Sequence, residues 1–264
     1  MQNLQRSFGN LDVKFKNNEM VRFFQEGSSK AIIPNVDNNL QQMILINTAG
    51  GITSGDNYCT SIELDNSIMC TSTQAAEKIY KGISNPGIVN VEINLKNNSQ
   101  IYWLPQEMIL FNNCNLKRKI NVNVSDDSNF LMCESIIFGR TSMKEKFTNG
   151  LYSDFWKISK NGKLIHIEAS NTDGYEASAF SKVATFNNNC AINTIIGIGK
   201  KILNKSEIIK KNLKECSMTT SEISIWDEKL IIRTISKDNY HLRFAVKNIL
   251  SYFFNYNIPK IWSI

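Results

Sequence analysis

Three carboxylates stand where a side chain could do chemistry: Asp56 in a glycine-rich loop, Glu134 inside an apolar run, and Glu145 shortly after Arg140. Paired carboxylates supply general acid and base catalysis. A small-molecule hydrolase or transferase using Asp56, Glu134 and Glu145 is therefore one function this chain allows. The same groups offer hard oxygen ligands to a passing cation. Each also has a structural reading. Asp56 can cap its own loop by accepting backbone N–H bonds. Glu134 lies between Leu131-Met132-Cys133 and Ser135-Ile136-Ile137. A carboxylate there is costly unless it is paired, with Arg140 or another base, or faces a water-filled passage. Arg140 and Glu145 are close enough in sequence to form an ion pair with each other.

The loop Asn47-Thr48-Ala49-Gly50-Gly51-Ile52-Thr53-Ser54-Gly55-Asp56 follows the apolar run Met43–Ile46. A strand entering such a loop suggests a phosphate cradle, a tight corner or a contact surface. The cradle fails on chemistry. A P-loop needs lysine and then Ser or Thr after its last glycine, whereas Gly55 is followed by Asp56, which repels phosphate. Gly197-Ile198-Gly199-Lys200 is followed by Lys201, and no dinucleotide fingerprint opens a helix after a strand. The six cysteines, at 59, 70, 114, 133, 190 and 216, contain no C-x-x-C pair, and His166 and His241 are far apart. Clustered thiolates and imidazoles, which a structural zinc site requires, are not legible, and reduced, mostly buried thiols are expected.

Period-two alternation dominates the elements that must position these groups. Leu11, Val13 and Phe15 alternate with Asp12, Lys14 and Lys16; Val89 to Leu95 and Ile120 to Val124 do the same. Each is a strand with one dry and one wet face. Asn161-Gly162 is a two-residue hairpin signal that would pair Ile158 with Ile165 and Trp156 with Ile167. Asp65-Asn66 would fold Tyr58–Leu64 onto Ser67–Thr73, pairing Ile62 with Met69. Helical spacing comes late: Asn204-Lys205-Ser206-Glu207 resembles a capping box ahead of Ile208, Ile209 and Leu213. Leu242, Ala245, Val246, Ile249 and Phe253 follow Asp238 at helical spacing and close before Pro259. The expectation is a mainly β chain without βαβ rhythm, one domain over 1–264, ending in a C-terminal helix.

At 264 residues, 42% of them hydrophobic, the chain can bury a sizeable core. No apolar run approaches the roughly 20 residues of a membrane span, and the N-terminus carries no apolar signal core, so a cytoplasmic protein without membrane contact is expected. The net charge of +6 comes from scattered lysines. The clusters Lys117-Arg118-Lys119 and Lys200-Lys201 to Lys210-Lys211 read as solvated faces rather than a phosphate-binding stripe. That argues against nucleic acid and for docking to an acidic protein.

Four polar segments remain. They are Asn47–Asp56, then Thr73-Gln74-Ala75-Ala76-Glu77-Lys78-Ile79-Tyr80, then Leu104-Pro105-Gln106-Glu107-Met108-Ile109-Leu110-Phe111, and Gly139-Arg140. In this order they resemble the UreD (UreH) family of urease accessory proteins, and Pro259-Lys260-Ile261-Trp262 is similar to that family's Pro-Arg-x-Trp ending. The likeness runs nearly end to end. Ser54 stands where the family usually has Gly, Lys81 where it has Arg, and Lys144 where Gly often precedes Glu145.

The resemblance implies a fold of stacked antiparallel or β-helix-like sheets with a few helices, and a maturation factor rather than an enzyme. It implies apo-urease subunits, UreF and the GTPase UreG as partners, with room for a dimer formed through the accessory complex. GTP-dependent nickel insertion into urease is the implied role, with no tightly bound cofactor or metal and nickel only in transit. Asp56 and Glu134 are then candidates for the nickel route. Gln74, Glu77, Lys78, Gln106, Glu107, Arg140 and Glu145 are candidates for a partner surface or a structural polar network. Glu107, behind Pro105, is expected at a turn and pointing inward. Tyr80, Trp103, Phe111 and Trp262 read as core.

Overall fold

The computed structural model describes residues 5–35, 40–83, 85–140, 143, 145–172, 180–213 and 218–262. The alternating segments become strands that the chain deals out to two stacked sheets. One sheet holds β1 (Phe8–Lys16), β2 (Glu19–Gly27), β5 (Asn57–Asp65), β8 (Gly87–Lys96), β11 (Asn115–Val124), β13 (Leu151–Lys160) and β14 (Lys163–Asn171). Its spatial order is β14-β13-β11-β8-β5-β1-β2. The other holds β3 (Ser29–Ile32), β4 (Gln41–Asn47), β6 (Ile68–Thr73), β9 (Gln100–Trp103), β12 (Asn129–Phe138), β15 (Ala191–Ile198), β16 (Thr219–Trp226) and β17 (Lys229–Ser236). That sheet runs β16-β17-β15-β12-β9-β6-β4-β3, with the short strands β7 (Glu77–Ile79) and β10 (Met108–Leu110) attached beside β12.

From β4 to β13 the long strands fall alternately in the two sheets, so strands two apart become parallel neighbours. β5 runs parallel to β1 and β8, and β11 parallel to β8 and β13. β4, β6, β9 and β12 pair in parallel in the facing sheet. The mainly β, β-helix-like stack expected above is thus present, with a parallel spine and antiparallel strands only towards the ends.

The Asp65-Asn66 turn is where the simple hairpin reading fails. β5 and β6 lie in different sheets, and Ile62 pairs with Val13 and Ile93, not Met69. Asn66 has φ 48°, and its N–H donates to the Lys96 carbonyl at 3.1 Å, so the chain arches between layers rather than folding back within one. A buried serine ladder stacks these arches: the Ser67 N–H donates to Ser99 Oγ at 3.2 Å, and the Ser99 N–H to Ser128 Oγ at 3.0 Å. Serine fits because each corner leaves a backbone donor that a short hydroxyl on the next rung can accept.

The Asn161-Gly162 hairpin does form between β13 and β14, with both turn residues at positive φ. Its register differs from the one the apolar pattern suggests. A bulge between Ile158 and Ser159 puts Ile158 opposite His166 and Trp156 opposite Glu168. The extra residue turns Glu168 inward beside Arg233 of the facing sheet, and Ile167 is left exposed.

Leu11, Val13, Ile62, Ile93, Ile120 and Val122 meet Met43, Met69, Ile101, Phe130 and Met132 between the sheets. The outward face of the second sheet is covered by α1 (Lys200–Leu203), α2 (Ser206–Asn212), α3 (Asn239–Phe253) and a 3-10 turn at Lys260–Trp262. Asp238 caps α3, its carboxylate accepting the His241 N–H at 2.8 Å, and Leu242, Val246, Ile249 and Phe253 are buried as their spacing requires. The capping box expected at 204–207 does not form: Asn204 ends α1, Lys205 starts α2 without a side-chain bond, and Ile208 is exposed. With so short a connection between α1 and α2, Asn204 is consumed by the first helix. Among the described residues no helix is long and apolar enough to cross a membrane.

Candidate functional site

Strand parity places a buried charge cluster between the sheets. Arg118 lies on the inward side of β11 with Leu116 and Ile120, and Asp154 on the inward side of β13 with Tyr152 and Trp156. Glu134 reaches them from β12 of the facing sheet. The Arg118 fork donates from Nε and Nη2 to Asp154 at 2.9 and 2.7 Å, and from Nη1 to Glu134 Oε2 at 2.8 Å. Arg118 is 6% exposed, so this member of the Lys117-Arg118-Lys119 run is not on a solvated face, although both its neighbours are. Burial pushes the guanidinium down, but Asp154 and then Glu134 outweigh it and hold it well above its ordinary value.

The two carboxylates are used differently. Asp154 also accepts from Tyr152 Oη at 2.6 Å and Trp156 Nε1 at 2.8 Å. Four donors occupy the roughly four lone-pair sites a carboxylate offers. Among the described residues Glu134 accepts from Arg118 and, at 2.8 Å, from Trp103 Nε1, two donors against the four on Asp154. Its base is Arg118, not Arg140.

Glu134 also stands where two cavities meet. One, of about 290 Å³, runs from Gln74, Ala75, Glu77 and Asn47 at the surface down to Trp103, Arg118 and Glu134. The other, of about 260 Å³, runs from Glu134, Tyr152 and Trp156 out to Glu168, Asn171 and Arg233. Glu134 is thus paired with Arg118 and also lines both cavities.

The glycine loop lines the first cavity through Asn47, Gly50 and Ile52. Asp56 is 4% exposed, and its oxygens accept the Ser7 N–H at 2.8 Å and the Thr53 N–H at 2.9 Å. It caps the loop and lines neither inter-sheet cavity. The Ile52 N–H donates to the Lys78 carbonyl and the Ile52 carbonyl accepts the Tyr80 N–H, both at 2.8 Å, which knits the loop to the 78–80 segment. Gly51, at φ 149°, has to be glycine: a Cβ there would meet the Tyr80 ring and sit 2.7 Å from the Lys78 carbonyl.

The remaining candidates divide into separate groups. Glu77 hydrogen-bonds Asn47 Nδ2 at 3.1 Å, and burial pushes its carboxyl up to about 7. The Gln74 and Lys78 side chains are exposed. Gln106 and Glu107 are buried and held by Arg243 Nη1 at 2.7 and 2.9 Å. Arg140 and Glu145 form the expected ion pair, with Arg140 Nε 2.8 Å from Glu145 Oε2, and Glu145 also accepts the Asn112 N–H at 2.7 Å. Trp103 and Trp262 are buried. Tyr80, expected in the core, is 38% exposed, its ring edge-on to Phe111 and its hydroxyl bonded to the Gly50 carbonyl.

Cys70, Cys114 and Cys133 are buried, and burial pushes their thiols up; Cys59 is exposed. Cys216 and Lys144 lie outside the described residues. Among those described, no three His, Cys, Asp or Glu side chains are grouped to hold a metal ion. The sequence reading missed Arg118 and Asp154. Their shared parity with apolar neighbours was the available signal.

A sequence model described as "UreD urease accessory protein" matches residues 7–263. The chain is 32% identical over 244 residues to the urease accessory protein UreD of Agrobacterium fabrum, spanning 91% of this chain and 84% of that one. It is 33% identical over 244 residues to the UreD of Rhizobium leguminosarum bv. viciae, spanning 91% and 88%. With the UreD of Rhizobium rhizogenes it shares 33% identity over 248 residues, spanning 93% and 89%.

Proposed function

The chain belongs to the UreD urease accessory protein family, and we propose that within urease maturation it acts as a non-enzymatic scaffold through which nickel, as cargo, passes. In this reading it docks on apo-urease together with UreF and UreG, and GTP turnover by UreG drives the transfer. The observation that carries the route is Glu134, a buried carboxylate that lines two cavities, one also lined by Gln74 and Glu77 and the other by Glu168 and Arg233. A conduit must hold its ion weakly enough to let go. Single carboxylates, carbonyls and water do this better than a cysteine–histidine cage. Arg118 holds Glu134 in place through its Nη1 bond at 2.8 Å, and its positive charge prevents the site from becoming a deep trap. Asp56 serves the route indirectly, by fixing the loop at the entrance.

The hydrolase or transferase reading finds less support. Asp56, Glu134 and Glu145 belong to three different hydrogen-bond sets, and neither inter-sheet cavity is lined by more than one of them. A nucleic-acid reading needs the lysine clusters on one face. Instead Lys117 and Lys119 project from the outer side of the first sheet, while Lys200 to Lys211 ride on helices covering the second.

Glu134→Gln keeps the side chain's shape and its bond to Trp103. In a reconstituted system of apo-urease, this protein, UreF, UreG, nickel and GTP, we expect that variant to load severalfold less nickel per urease active site. Complex formation should be unchanged. Glu145→Gln, away from both cavities, should load normally. Undiminished nickel in the Glu134→Gln system would retire the conduit.

A further inference from the structure

The outer face of the first sheet is divided by how its charges are satisfied. On the β2-β1-β5-β8 half, Lys14 and Lys96 hold Glu63 at 2.7 and 2.9 Å, Arg22 holds Asp12 at 2.8 Å, and Lys16 lies 4.0 Å from Asp65. On the β11-β13-β14 half, Lys117, Lys119 and Lys157 also point outward, yet among the described residues none has a carboxylate within ion-pair distance. The register explains the difference: Lys117 faces Ile88 and Ser153, Lys119 faces Asn90 and Phe155, and Lys157 faces Asn121 and Ile167. The nearest acid by register, Glu92, lies opposite Asn121 and bonds Asn94. Among these lysines sit exposed apolar side chains, Phe155 at 37%, Leu164 at 46% and Ile167 at 48%, the last two on the free edge strand β14.

We propose that this half-sheet is a docking surface for an acidic protein surface with an apolar centre, carried by the maturation assembly; the inference rests on the reading above. One half of the sheet neutralises its own charges and the other leaves them for a partner. Unpaired lysines steer an acidic partner, and the apolar patch holds it once water is expelled. A single aromatic among aliphatic side chains suits a protein better than nucleic acid, whose bases require stacking platforms.

The test compares three proteins: wild type, the triple variant Lys117→Glu/Lys119→Glu/Lys157→Glu, and an equally charged control, Lys200→Glu/Lys210→Glu/Lys211→Glu. Each is titrated onto immobilised apo-urease with UreF and UreG at two salt concentrations, and separately against a fluorescent single-stranded RNA. The expected result is association slowed roughly tenfold for the patch variant only, with its salt dependence flattened. A Lys→Gln version of the patch should move the same way by less. Equal binding of patch variant and wild type overturns the proposal and leaves the maturation reading standing. Equal weakening in the control overturns it too, as a net-charge effect, as does loss confined to RNA. If wild type forms no complex, the maturation reading falls and takes this proposal with it.

Discussion

At the level of single residues, the site is governed by what each carboxylate accepts. Among the described residues no cation is paired with Glu77, and burial outweighs its bonds to the Asn47 amide and the Lys78 backbone, so its neutral form is favoured in the fold. An acid whose folded pKa is raised binds more protons folded than unfolded. It therefore makes stability fall as pH rises from about 4.5 to about 7. We expect Glu77→Gln to remove about 2 kcal/mol of that pH dependence at most, since the site is partly wetted. Denaturant unfolding at pH 5 and pH 7 reads this directly; an unchanged pH slope would mean Glu77 is ionised throughout. The sequence made Glu134 suspicious because a charge interrupts an apolar run. It did not reveal Arg118, because two flanking lysines disguise it as part of a surface cluster. Only counting alternate residues from Leu116 or Ile120 shows that Arg118 points inward, and that its neighbours do not.

Among the elements, strands and the last helix were readable because their periodicity is local. The partners of those strands were not, because an arch and a hairpin use similar turn residues. Asp65-Asn66 and Asn161-Gly162 both place a positive-φ asparagine between apolar strands, yet the first changes sheets and the second does not. What separates them is a neighbouring rung ready to accept the corner's backbone bonds, and that rung lies about thirty residues away. α3 shows the opposite case, since its cap is three residues from its donor. Asp238→Ala should cost about 1 kcal/mol through the lost cap, seen as a lower denaturation midpoint. Asp238→Asn, which can still accept the His241 N–H, should restore most of it.

Across the whole molecule, the charge cluster is also a rivet, because Arg118 belongs to one sheet and Glu134 to the other. Removing one partner of a buried pair leaves the others uncompensated. Arg118→Met is therefore expected to cost about 3–5 kcal/mol in denaturant unfolding, far more than Lys117→Met or Lys119→Met one position away. A loss of under about 1 kcal/mol would show that water already reaches the cluster. The alternating visits to the two sheets have a further consequence, which concerns birth rather than equilibrium. Rungs can stack in order as the nascent chain leaves the ribosome, but Leu104, Leu131 and Cys133 on the outer side of the second sheet wait for cover from α3, Phe254 and Trp262. Until translation has passed residue 262, α1 and α2 cover that greasy flank only in part, and a chain stalled or clipped before then carries a sticky wall it cannot fully hide.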